Sequence, residues 1–81
     1  MEAFFERVQS LIDQCGTNKN DRAILAISAC ILEGIDTKLH ILGILKRLDF
    51  DTGHIVIMLA GRSYDVPWVL DKATGRYRLT N

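Results

Sequence analysis

The chain has 81 residues, enough for one small domain, and a chain of this size buries only about 60% of its unfolded surface on folding. Its 48% hydrophobic residues and single proline favour a folded domain, and ten basic and ten acidic residues cancel to zero net charge. This balance excludes a protein held to nucleic acid by a broad basic field. Residues 36–81 nevertheless contain seven basic and five acidic side chains, so local nucleic-acid contact stays open.

The first segment, residues 2–15, has apolar side chains at helical spacing on one stripe and polar side chains on the other. This pattern predicts an amphipathic helix that ends at Gly16, with an apolar stripe of Phe4, Val8, Leu11, Ile12 and Cys15. No basic stretch precedes an apolar stretch as in a secretory signal, and the longest apolar run, residues 23–32, is shorter than the ~20 residues of a membrane span. We therefore expect a cytoplasmic protein with no membrane partner.

Three further helices follow the first. The second begins at a predicted cap, Asn20, and is nearly all apolar over residues 23–32, which predicts a central helix covered on several sides. In the third, capped by Thr37, the mid-helix Gly43 suggests that another backbone passes close by. We expect the side chains where these helices and the C-terminal segment meet to be nearly inaccessible: Ile27, Ile31, Leu42, Leu45, Leu59 and Trp68.

A link of only three residues, 49–51, joins the third helix to the fourth, which is capped by Asp51 and ends at Gly61. Two helices joined by so short a turn are typical of a helix-turn-helix. If Ile55, Met58 and Leu59 face the core, the outward stripe of the fourth helix consists of Gly53, Val56, Ile57 and Ala60, with Thr52 and His54 at its start.

The C-terminal segment alternates apolar and polar residues on both sides of the turn at residues 72–75, which predicts a β-hairpin. Pairing Asp71 with Arg76 places Leu70 opposite Tyr77 and, on the same face, Trp68 opposite Leu79. Because a lone hairpin is marginal in water, this face must rest on the helices. The predicted fold is therefore α+β and mostly helical: one domain, 1–81, with an N-terminal helix at 1–16, a tri-helical core at 21–62 and a hairpin at 67–80.

The order of elements over about residues 21–80 resembles the winged helix-turn-helix family, with the first helix as an addition. The cues are the segments DTKLHILGILKRL, DFDTGHIVIMLAG and ATGRYRLT. The resemblance implies that helix 52–61 would lie in the DNA major groove and that the 68–79 wing would touch the backbone or minor groove. The DNA contacts would then be Thr52, His54, Arg62, Lys72, Arg76 and Arg78. In such proteins an added terminal helix commonly builds a homodimer, and some members bind proteins.

The fourth helix departs from the family where DNA is read. Base edges are read by arginine, lysine, asparagine or glutamine, and residues 52–61 contain none of these. An outward stripe with Val56 and Ile57 fits a protein-binding surface better than a DNA-reading one. Burial of such side chains against a partner stabilises by about 25 cal/mol per Å² of apolar surface, which is lost if they stay in water. We therefore expect a protein interface, with a partner or with a second copy as a homodimer, through Val56, Ile57 and Ala60 or through Phe4, Phe5 and Val8.

The sequence predicts no reaction centre among its potentially catalytic or metal-binding side chains. The carboxylates are scattered, and Cys15, Cys30, His40 and His54 include no close pair with zinc-ligand spacing, so we predict no enzyme, metal site, cofactor or small-molecule substrate. His54 is expected to face solvent, and Asp71 is expected to neutralise Arg76 across the hairpin. The sequence thus favours a small protein-binding module, with a DNA-binding transcriptional regulator as the alternative.

Overall fold

The computed structural model describes residues 2–61 and 66–80. Four helices, α1 (Glu2–Gln14), α2 (Lys19–Leu32), α3 (Lys38–Arg47) and α4 (Thr52–Ala60), precede the strands β1 (Trp68–Asp71) and β2 (Arg76–Leu79). The helices make up 61% of these residues. The fold is small, α+β and mostly helical, as predicted.

Helix α2 is the centre of the fold, because α1, α3, α4 and β2 all pack against it. Its inward side chains are small or medium in size, and Ala23, Ala26, Ile27 and Cys30 are completely buried. Small residues allow several elements to approach one helix closely. The rest of the core comes from every other element: Phe4, Val8, Ile12, Ile35, Ile41, Ile44, Leu45, Ile55, Met58, Leu59, Trp68 and Tyr77.

The predicted core was correct at four positions and wrong at two. Ile27 and Leu45 are fully buried and Leu59 and Trp68 are 4% exposed, whereas Ile31 and Leu42 are only partly buried at the edge of the core. Apolar spacing identifies the inward half of a helix but does not distinguish its centre from its margins.

Several apolar residues lie outside the core, including Leu11 of the predicted α1 stripe. Leu11 of α1 is 42% exposed, Leu32 at the end of α2 is 77% exposed and Leu39 in the first turn of α3 is 84% exposed. Gly43 is exposed, and a Cβ built on it would meet nothing within 4 Å, so the predicted close passage of another backbone is wrong.

The cap of α2 is Asn18 instead of the predicted Asn20. The Asn18 side chain accepts hydrogen bonds from the backbone N–H groups of Asn20 and Asp21, at 2.9 and 3.2 Å. These bonds satisfy two donors that the first turn leaves unpaired. Thr37 occupies the capping position of α3, as predicted, without a capping side-chain hydrogen bond.

In the turn between α3 and α4, the C-terminal end of α3 is followed directly by the N-cap of α4. Asp49 adopts the left-handed region with φ of 66°, and the Phe50 N–H donates to the Leu45 carbonyl at 3.0 Å. This is the bond pattern of a Schellman ending, with an aspartate where glycine is usual. The Asp51 side chain then accepts from the Gly53 N–H at 2.9 Å and starts α4.

The hairpin has the predicted register, with Trp68 opposite Leu79, Leu70 opposite Tyr77 and Asp71 opposite Arg76. Backbone contacts tie β2 to the connection between α2 and α3. Thr37 forms an antiparallel bridge with Arg76, and the Tyr77 N–H donates to the Asp36 carbonyl at 2.7 Å. The hairpin is therefore held on one edge by backbone pairing and on one face by packing.

Candidate functional site

The outward surface of α4 is the stripe of Gly53, Val56, Ile57 and Ala60, which we call the α4 face. The opposite side of the helix, Ile55, Met58 and Leu59, is buried, as predicted. Val56 is 38% exposed and Ile57 is 55% exposed, and Gly53 and Ala60 are exposed as well. The α4 face is thus an accessible apolar surface without a charged side chain.

His54 holds the start of α4 against α2. Its Nε2 atom lies 2.8 Å from the Asn20 Oδ1 atom, and the ring is partly buried, so the expectation that His54 faces solvent is wrong. The partner, Asn20, lies in the first turn of α2, and sequence spacing gives no sign of a contact over that distance. Thr52 remains exposed. The imidazole therefore helps to fix the rotation of α4 that turns Val56 and Ile57 outward.

The three α1 residues predicted as a second interface do not form an apolar surface. Phe4 and Val8 are 4% and 1% exposed and belong to the core, and only Phe5 is partly accessible. These rings and methyl groups cover α2, because a four-helix chain of this size needs α1 to complete its core. The Arg47 guanidinium lies over the Phe5 ring, 4.6 Å from its centroid, and covers part of it.

An open groove of about 720 Å³ lies beside Phe5, between α1 and the end of α3. Apart from Phe5 and Leu48, its lining side chains are polar or charged, as with Glu6, Asp13 and Arg47. Carboxylates and a guanidinium line the same walls, so the groove has no uniform charge, although more of its accessible surface is apolar than polar. It does not favour one ligand chemistry.

The basic residues of the hairpin do not act as one cluster. Arg76 forms an ion pair with Asp36, with 2.6 Å between Nη1 and Oδ1, so the predicted pairing with Asp71 is wrong. Asp71 instead accepts from the Ala73 N–H at 3.0 Å and stabilises the turn. Lys72 and Arg78 are exposed. Arg62, the fourth basic residue among the predicted DNA contacts, lies outside the described residues.

On the predicted apolar face of the hairpin, Trp68 and Tyr77 rest on the helices, whereas Leu70 is 45% exposed. Trp68 is 4% exposed and its indole N–H donates to the Leu59 carbonyl at 3.4 Å. Tyr77 is 8% exposed, and desolvation by burial raises the pKa of its hydroxyl. Rings buried in this way are not available to stack on the bases of a single strand.

The cysteines and histidines do not come together as a metal site. Burial raises the pKa of the Cys30 thiol to about 12, so it stays protonated at neutral pH and is inert as a nucleophile or ligand. Within residues 2–61 and 66–80, no three His, Cys, Asp or Glu side chains are placed to hold one metal ion. No helix in these ranges has the length and apolar character to cross a membrane.

Comparison with known proteins adds no assignment, because no protein family, curated protein or solved structure matches the chain. The observed order of four helices and an antiparallel hairpin is compatible with a winged-helix arrangement.

Proposed function

We propose that this protein is a small, non-enzymatic binding module of winged-helix type that makes protein contacts through the α4 face. The observation that carries the proposal is the outward exposure of Val56 and Ile57 on a helix whose other side is fully buried. A protein partner would cover apolar surface of both side chains. This burial would stabilise the complex by about 25 cal/mol per Å² removed from water. Neither offers a hydrogen bond to a base edge.

The rigidity of α4 supports this role. A cap at Asp51, the His54–Asn20 contact and three buried side chains hold the helix in one orientation. A contact surface on a fixed helix loses little conformational entropy on binding. The α4 face is therefore preorganised, whereas long exposed cations on a hairpin are not.

Duplex DNA binding as a transcriptional regulator is the second candidate. The observation in its favour is that Lys72 and Arg78 are exposed on the hairpin that corresponds to a wing. Against it, Arg76 is engaged by Asp36, and α4 presents valine, isoleucine and alanine where a groove helix would read bases. Such contacts would be to phosphates and carry no sequence information directly.

The test is the size of the complex that contains the protein in extracts of its native cells. We expect the tagged wild-type chain to elute well above the 9.1 kDa of one chain. Ile57→Lys should move it to the monomer position, because a lysine in an apolar contact must lose its hydration. Leu39→Lys is the matched control, since Leu39 is an 84% exposed apolar residue on another helix. Co-elution of Ile57→Lys with wild type would overturn the proposal.

A further inference from the structure

We draw no further inference here: the strongest candidate, the apolar α4 face on the outward side of the fourth helix, belongs to the site already described, and nothing among residues 2–61 and 66–80 shows what covers it.

Discussion

Two leucines of α3 show how strongly the role of a side chain depends on its place on a helix. Leu45 is completely buried in the core, whereas Leu39, in the first turn, is 84% exposed. Both are leucines of the same ten-residue helix, so residue type alone does not distinguish them. Both α2 and α4 pack against α3, and Leu45 belongs to the core that these helices share. Substitution of Leu45 should therefore lower the free energy of unfolding much more than substitution of Leu39.

Leu45→Ala should lower the free energy of unfolding by about 2 to 5 kcal/mol, from lost apolar transfer energy and the cavity left behind. Leu39→Ala should change it by no more than about 0.5 kcal/mol, as is usual for a surface position. Urea denaturation followed by circular dichroism measures both. Equal losses for the two variants would show that the inward face of α3 is misplaced.

Arg76 pairs with Asp36 and not with Asp71, its neighbour across the hairpin. Asp71 lies opposite it in the hairpin register, and cross-strand proximity favoured that pair. The isolated bridge between Thr37 and Arg76 instead brings Asp36, forty residues earlier, within 2.6 Å of the guanidinium. A contact between segments so distant in sequence depends on tertiary structure that local spacing does not encode.

At the scale of elements, helix boundaries and strand register were predictable because each depends on local chemistry. Gly61, with φ of 65°, ends α4 and Asp51 starts it, and alternation about a single turn fixes the register of the hairpin. The cap of α2 was misplaced by two residues because asparagine occurs at both 18 and 20.

The α3–α4 turn allows a paired prediction at two backbone positions of nearly identical φ. Asp49→Gly should raise the free energy of unfolding by up to about 1 kcal/mol, because glycine adopts the left-handed region without a Cβ clash. Gly61→Ala should lower it by at least about 1 kcal/mol, since its Cβ would also meet the Val66 Cγ2 atom at 3.0 Å. Thermal unfolding of both variants tests this. A loss of stability in Asp49→Gly would contradict the described turn.

For the whole molecule, the absence of net charge and the apolar α4 face lead us to expect weak DNA binding. Binding to mixed-sequence duplex should show little sequence preference. At most four phosphate contacts predict a slope of log affinity against log salt no steeper than about −3.6. A fluorescence titration at several salt concentrations measures this slope. Nanomolar binding at physiological salt with selection of one sequence would replace the protein-contact account with the DNA alternative.

The candidate site was predictable only in part at this scale. The rotation of α4, and with it the α4 face, followed from the spacing of Ile55, Met58 and Leu59. The burial of Phe4 and Val8 did not, because an amphipathic helix at a chain end can cover its own core or a second copy with the same stripe. Sequence periodicity identifies an apolar stripe without naming what covers it.

Site-specific photo-cross-linking in native cells tests the central claim most directly. A photoreactive amino acid is placed at Ile57 on the α4 face or at Lys72 in the hairpin turn, and the adducts are divided by protease and nuclease sensitivity. We predict protein adducts from position 57 and no duplex DNA adducts from position 72. DNA adducts from position 72, with no protein adduct from position 57, would contradict it.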